Sequence, residues 1–150
     1  MALSIQDISD RIEIDDLLKR YTRAIDSKDY ELLDTCFLPD AHVDYVSSGG
    51  VAGPYPEVRV WLEKALAIFS ASVHSISNSE VELEGDRARG RTLVHNPMVL
   101  PGDGAPRIFT VYAYYHDELV RTEEGWRIAR RVEEQILLDG NLPAGLPEGD

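Results

Sequence analysis

Residues 87–138 read RARGRTLVHNPMVLPGDGAPRIFTVYAYYHDELVRTEEGWRIARRVEEQILL. The stretch contains long segments rich in β-branched and aromatic residues, separated by short clusters of glycine, proline and acidic residues, which is the pattern of strands and turns. A similar segment precedes it and ends at the hairpin signal Glu84-Gly85-Asp86. The predicted strands cover 72–83, 87–100, 108–121 and 126–138. Consecutive strands joined by short turns predict an antiparallel meander.

The residues before this meander begin with helical periodicity. Apolar side chains recur at three- and four-residue intervals over 5–25, the spacing of an amphipathic helix. Ser4 and Asp7 have the pattern of a capping box at its start. A short second helix is predicted over 30–37, ended by Pro39.

A strand is predicted next, over 41–46, followed by a turn over 47–50. Pro54 or Pro56 then opens a third helix, because the missing N–H of proline would be unpaired in a first helical turn anyway. Helices that precede a meander favour an α+β fold over a doubly wound parallel sheet. A curved sheet wrapped on a long helix leaves a pocket between them, where we expect the chemistry.

Length and composition indicate one folded domain over residues 1–150, of which 43% are apolar and 28% charged. We expect its core at 5–138 and a loosely held tail at 140–150, which contains three glycines and two prolines. The net charge of −12 makes nucleic acid and membranes poor partners, since an acidic surface repels phosphate backbones and anionic lipids.

The single cysteine, Cys36, excludes an intrachain disulfide and a thiolate metal cluster. Its apolar neighbours predict a buried structural thiol. The first residues lack a basic start and an apolar secretion-signal core, and no apolar run approaches the ~18 residues that span a bilayer. We therefore expect a cytoplasmic protein.

Histidines are the natural candidates for acid–base chemistry near neutral pH. His74 lies early in a predicted strand, where a hydrogen-bonded core histidine and a catalytic base are both consistent with the pattern. His42 and His116 flank turns or edges and carry no distinguishing signal. Asp26 ends the apolar stripe of the first helix, where a carboxylate gains nothing from the helix dipole. Asp26 therefore either pairs with a cationic or imidazole side chain, or lies in solvent at the end of the helix.

The sequence lacks the motifs that are typical of several other classes of site. The sequence contains no His-x-x-x-His, Cys-x-x-Cys or calcium-loop pattern, no phosphate-binding glycine loop and no Gly-x-Ser-x-Gly nucleophile elbow. We therefore expect acid–base chemistry without a metal or other cofactor, or no chemistry at all.

Four segments resemble the SnoaL-like domains of the nuclear-transport-factor-2-like superfamily. They are Tyr21-Thr22-Arg23-Ala24-Ile25-Asp26-Ser27-Lys28-Asp29-Tyr30, Asp40-Ala41-His42-Val43-Asp44-Tyr45, Val73-His74 and Gly125-Trp126-Arg127-Ile128. Within the superfamily the chain is most similar to the scytalone dehydratases, hexachlorocyclohexane dehydrochlorinases and bile-acid dehydratases, and more distantly to steroid delta-isomerases. The resemblance covers about residues 5–138. It implies a cone-shaped α+β barrel, with a curved, mostly antiparallel sheet around a long N-terminal helix and two further helices.

The resemblance also implies a catalytic dyad, in which His74 is the base and Asp26 orients it. A neutral imidazole removes a proton next to a carbonyl, and a carboxylate on its other nitrogen fixes the tautomer and stabilises the imidazolium. Such a base supplies about 10²–10⁴-fold in rate.

The substrate-contacting residues implied by the resemblance are Tyr45, Arg131, Tyr21 and His95. Tyr45 matches a tyrosine that holds a water in scytalone dehydratase, and Arg131 matches an arginine of the dehydrochlorinase pocket. Strand parity leaves Arg130 open as the pocket arginine, and it directs His95 away from the pocket unless a bulge shifts the register. Strand packing is the alternative role for Tyr45, and an ion pair with a following glutamate is the alternative for Arg131.

The sequence departs from scytalone dehydratase at groups that contact the substrate. Ile25 replaces the pocket tyrosine before the dyad aspartate, and 111–115 replaces a Ser-x-Asn pair. These differences predict a substrate other than scytalone.

Three functions are alternatives at this point. The first is a lyase that eliminates water or another β-leaving group from a small, apolar, cyclic hydroxy-ketone. The second is an isomerase or polyketide-type cyclase with the same base. The third is a binding or assembly module, such as a dioxygenase small subunit, which is favoured if the dyad residues lie more than about 4 Å apart. We expect a homodimer or homotrimer.

Overall fold

The computed structural model of the chain describes residues 2–141 and 147. It contains three α-helices and seven strands within those residues. The helices are α1 (Ile5–Ser27), α2 (Tyr30–Asp34) and α3 (Tyr55–Leu66). The strands are β1 (Phe37–Asp44), β2 (Ala52–Pro54), β3 (Ala71–Ser72), β4 (Ser75–Glu84), β5 (Arg87–Leu100), β6 (Arg107–Thr122) and β7 (Gly125–Asp139).

One curled sheet in the order β2-β1-β7-β6-β5-β3 forms the main layer, with β4 also paired to β5. Strands β4 to β7 pair antiparallel in chain order, which confirms the predicted meander. The pairing of β1 with β7 is parallel. The long helix α1 packs its apolar stripe into the concave face, so the predicted cone-shaped α+β fold is confirmed.

Helix α1 begins with the predicted capping box. The Ser4 side chain accepts from the backbone N–H of Asp7, and the Asp7 carboxylate accepts from the backbone N–H of Ser4. The helix ends at Ser27 and is capped by Lys28, which adopts a left-handed φ of 55°. The Lys28 ammonium donates to the carbonyl of Phe69 at 2.8 Å, which fastens this end of α1 to the segment that enters the sheet.

Two regions differ most from the predicted element boundaries. Helix α2 is shorter than predicted and β1 begins at Phe37, because Phe37 pairs with Ile128 of β7 and continues the sheet. The predicted strand over 72–83 is two strands, interrupted at Val73 and His74. The interruption has a local cause, since the backbone N–H of His74 donates to a side chain of α1 instead of to β5.

The tail predicted over 140–150 lies outside the described residues except for Gly140, Asn141 and Pro147. Within the described part of the chain, no helix is both long and apolar enough to cross a bilayer.

Candidate active site

The side chains of His74 and Asp26 are joined by hydrogen bonds. His74 Nδ1 lies 2.6 Å from one carboxylate oxygen of Asp26, and the backbone N–H of His74 donates to the other oxygen at 2.9 Å. One carboxylate therefore fixes both the backbone and the ring of the histidine. The described residues form no hydrogen bond with Nε2 of His74, which leaves this nitrogen free to exchange a proton with a ligand.

Asn96 supports this histidine, although it is not among the site residues predicted from the sequence. Its amide donates to the carbonyl of Val73 at 2.8 Å and to the hydroxyl of Ser72 at 3.2 Å. These bonds hold the backbone just before His74. The sequence contained one indication of this position, the alternation of side chains along a strand. Asn96 follows Val94 by two residues, so a regular strand directs both side chains to the same buried face of β5.

His74 lies in the wall of a cavity between α1, α3 and the sheet. The cavity volume is about 90 Å³, below the 150 Å³ of an engineered cavity that binds benzene, and it opens to solvent. A cavity of this size encloses only part of a ring-sized ligand, and the rest of such a ligand extends through the mouth. The lining is mainly apolar and comprises Tyr21, Ile25, Tyr45, Ser48, Gly50, Trp61, Leu62, Ala65, Leu66, Phe69, His74, Asn96, Met98, Phe109, Val111, Tyr115 and Glu133.

Three buried tyrosines, Tyr21, Tyr45 and Tyr115, line this cavity. The hydroxyls of Tyr21 and Tyr45 are 2.8 Å apart, and those of Tyr21 and Tyr115 are 3.5 Å apart. Burial raises the pKa of all three well above 10, so the phenols stay neutral. The bond between Tyr21 and Tyr45 uses one of their two hydroxyl hydrogens, which leaves one to donate to a ligand oxygen.

Gly50 fixes the position of Tyr45. Its backbone N–H donates to the Tyr45 carbonyl at 2.9 Å, and a Cβ at this position would lie 2.8 Å from the Cβ of Tyr45. A side chain here therefore displaces the tyrosine from the cavity wall.

Arg131 lies behind two of the tyrosines and does not line the cavity. It is fully buried and forms two hydrogen bonds of 2.7 Å with Asp117. Its guanidinium lies 4.2 Å from the ring centroid of Tyr21 and 3.9 Å from that of Tyr115. The predicted substrate contact of Arg131 is thus corrected. Its positive charge instead acts on the neighbouring tyrosines, because a cation beside a phenol makes the hydroxyl a better hydrogen-bond donor.

A bulge decides between the two arginines of β7. Glu118 pairs with Arg130 and Leu119 pairs with Ile128, so Ala129 has no partner on β6. The extra residue reverses the alternation of the strand. Arg131 consequently points inward, whereas Arg130 is exposed.

His95 is on the outer face of β5, exposed and stacked on Tyr112 with ring centroids 4.9 Å apart. It is absent from the cavity lining, so its predicted substrate contact is corrected. A bulge in β5 would turn His95 inward, but the pairing of His95 and Asn96 with β6 is regular. His116 is also on the surface and bonds to Glu134 through Nε2 at 2.6 Å.

Glu133 is a cavity residue for which the sequence indicated only a role as an ion-pair partner. Burial raises its pKa from 4.5 to about 7, against smaller opposing effects of the Ser48 hydroxyl and the Arg131 charge. The signal available in the sequence was its position two residues after Arg131, on the same face of β7.

The only cysteine, Cys36, is buried as predicted, and burial raises the pKa of its thiol. Among residues 2–141 and 147, no group of three or more His, Cys, Asp or Glu side chains is arranged to hold a metal ion.

Comparisons with known proteins show the family of the chain. The sequence model of the family described as "SnoaL-like domain" matches residues 6–132. The uncharacterized protein Rv2910c of Mycobacterium tuberculosis (strain ATCC 25618 / H37Rv) is 44% identical over 131 residues, which cover 87% of this chain and 88% of that protein.

Two solved structures from Novosphingobium aromaticivorans have the same fold. One, named "putative aromatic ring hydroxylase", has a TM-score of 0.81 and 31% identity over 89% of this chain and 94% of that one. The other, named "Putative Scytalone Dehydratase", has a TM-score of 0.78 and 18% identity over 95% of each chain.

Proposed function

The chain belongs to the SnoaL-like domain family, and on that premise we propose that it is a cofactor-free lyase. It removes water, or another β-leaving group, from a small cyclic hydroxy-ketone. The observation that carries the proposal is the 2.6 Å contact between His74 Nδ1 and Asp26, with Nε2 unbonded among the described residues at an apolar cavity. A dehydratase name on a structure of the same fold supports the reaction class.

His74 is the base of the proposed reaction. Asp26 accepts the hydrogen of Nδ1, so the lone pair of a neutral ring resides on Nε2, where it takes the proton next to the substrate carbonyl. The carboxylate then stabilises the imidazolium that forms. The low-polarity walls strengthen this attraction, because charges interact more strongly where water is excluded.

The tyrosine hydroxyls receive the developing negative charge. The hydrogen that Tyr21 and Tyr45 leave unused is donated to the carbonyl oxygen as the enolate forms. Both phenols stay neutral because burial raises their pKa, so they act as hydrogen-bond donors throughout.

The size of the cavity supports a monocyclic substrate. A volume of about 90 Å³ holds part of one small ring, and aliphatic and aromatic side chains such as Leu66, Phe69 and Phe109 line it.

The experiment is proton NMR in deuterated water with β-hydroxycyclohexanone. The wild type produces cyclohexenone, and His74→Ala slows this reaction by about 10²–10⁴-fold. His116→Ala is the matched control, because it removes an exposed histidine remote from the cavity lining, and it reacts like the wild type. Equal rates for the wild type and His74→Ala contradict the proposal.

The same spectra separate the alternatives. Deuterium uptake without loss of water favours the isomerase or cyclase, which uses the same base without a leaving group. A wild type that neither exchanges nor dehydrates contradicts the lyase and favours a binding module.

A further inference from the structure

Glu133 is the only carboxylic acid among the described residues that line the cavity. The nearby Ser48 hydroxyl lowers the pKa of its carboxyl group without a well-formed hydrogen bond, and the side chain forms no ion pair with them. Its backbone is well fixed, because the Ser47 hydroxyl donates to the Glu133 carbonyl at 2.7 Å and accepts from the backbone N–H of Gln135 at 2.9 Å. The carboxyl group is thus held at the cavity with most of its hydrogen-bonding capacity unused.

The polar neighbour of this carboxyl group is Ser48, which also lines the cavity. Its hydroxyl is buried and has no partner of full hydrogen-bond geometry in the described part of the chain. Buried polar groups in proteins are nearly always well paired, so this incompletely bonded hydroxyl beside a carboxyl group indicates that a ligand or water completes the pair.

The charged and titratable groups around Glu133 favour a proton on it. Arg131 on the same strand attracts the ionised form, but it is already paired with Asp117. Asp44 of β1 repels the ionised form, and the phenols of Tyr45 and Tyr115 face it without charge. Burial dominates and raises the pKa of Glu133 to about 7.

A continuous series of contacts leads from His74 to Glu133. The Tyr21 ring lies edge-on to His74, with centroids 6.4 Å apart, and its hydroxyl bonds to that of Tyr45. Tyr115 contacts both tyrosine rings and is the cross-strand neighbour of Glu133. The imidazole, the tyrosines and Glu133 therefore line one cavity, at which a single small ligand can meet both the base and the carboxyl group.

We propose that Glu133 is the general acid of this site and protonates the departing β-hydroxyl while His74 takes the α-proton. The assignment rests on the proposed lyase function. The α C–H bond breaks and its electron pair forms the C=C bond. The C–O bond then breaks with its pair on oxygen, which takes the Glu133 proton and leaves as water. Proton transfer from the imidazolium to the carboxylate, directly or through water, restores both groups.

The tyrosines are poor substitutes as proton donors. Burial raises the pKa of Tyr45 and Tyr115 well above 10, so they donate hydrogen bonds but do not surrender a proton near neutral pH. Hydroxide is a poor leaving group that needs a proton, and Glu133 is therefore the cavity group suited to supply that proton. Acetate leaves without a proton, so its elimination does not require Glu133.

The test compares wild type and Glu133→Gln in three reactions. These are dehydration of β-hydroxycyclohexanone, elimination of acetate from β-acetoxycyclohexanone, and deuterium uptake by cyclohexanone. Glu133→Gln slows dehydration by about 10²–10⁴-fold and leaves the other two within about threefold of wild type. Glu134→Gln is the matched control, because this neighbouring carboxylate is exposed, and it leaves all three unchanged. Wild-type dehydration also falls as the pH rises above about 7, where Glu133 loses its proton.

Three outcomes overturn the assignment. Dehydration by Glu133→Gln at the wild-type rate excludes a proton donor at this position. Equal slowing of all three reactions indicates that the residue shapes the site instead. Dehydration by the wild type that does not decline above about pH 7 also contradicts it. A wild type inactive in all three reactions contradicts the lyase function itself, which distinguishes that failure from a failure of Glu133 alone.

Discussion

Replacing Glu133 by glutamine changes how the stability of the protein depends on pH. In the folded state burial raises the pKa of this carboxyl to about 7, whereas in the unfolded chain it returns to about 4.5. The folded state therefore retains a proton that the unfolded state releases between these two pH values. The group stabilises the fold fully below about pH 4.5, and this contribution is lost as the pH rises through about 7.

The magnitude is set by the same two values. Each pKa unit corresponds to about 1.4 kcal/mol, so the separation of 4.5 and about 7 amounts to about 3 kcal/mol at most. Glutamine has a similar shape and does not titrate. The free energy of unfolding of wild type minus that of Glu133→Gln is thus expected to fall by up to about 3 kcal/mol between roughly pH 4 and pH 8.

Urea unfolding followed by tryptophan fluorescence measures this difference, since Trp126 is buried and reports global unfolding. Glu134→Gln provides the baseline, because its carboxylate is exposed and its removal leaves the pH profile close to that of wild type. A wild-type minus Glu133→Gln difference that stays constant across this range refutes the reasoning, because it requires equal proton binding at Glu133 in both states.

Further predictions concern the groups around the cavity. Arg131→Met destabilises the fold by about 3–5 kcal/mol because Asp117 is left buried without a partner, and adding Asp117→Leu recovers part of the loss in urea unfolding. Tyr45→Phe lowers kcat for dehydration by about 10²–10³-fold while the fold persists, because Tyr21 loses the 2.8 Å hydroxyl partner that orients and polarises the remaining donor to the enolate; an unchanged kcat contradicts this role. Asp26→Asn keeps an acceptor for the backbone but slows deuterium uptake by about 10²–10⁴-fold, and a wild-type rate excludes its function in the dyad.

Periodicity predicted the fold because each element has a strong and local pattern. The three- and four-residue spacing over 5–25 and the capping box at Ser4 locate α1 to within two residues. The strand from Arg87 to Leu100 has the predicted bounds, since turn residues flank it on both sides. The parallel pairing of β1 with β7 joins residues far apart in the chain, so the local pattern of either segment does not predict it.

The site was harder to predict because it depends on departures from regular structure. The bulge at Ala129 decides that Arg131, not Arg130, points inward, whereas uninterrupted strand alternation would direct Arg130 inward instead. The strand is interrupted at His74 because its backbone N–H donates to the carboxylate of Asp26, a contact between residues 48 positions apart.

The cavity residues Asn96 and Glu133 were missed for a related reason. Each is a polar residue on an inward face, and only the assembled sheet shows that the face borders a cavity. The resemblance to known lyases selected the dyad, but it also selected His95, which the regular register of β5 turns outward.

The central claim is that the His74–Asp26 pair removes a proton next to a carbonyl, and deuterium uptake by cyclohexanone tests it most directly. This substrate has no leaving group, so the exchange reports proton removal alone. The wild type is predicted to exchange the α-hydrogens in deuterated water, and His74→Ala to do so about 10²–10⁴-fold more slowly. Exchange at the same rate with alanine in place of His74 contradicts the account.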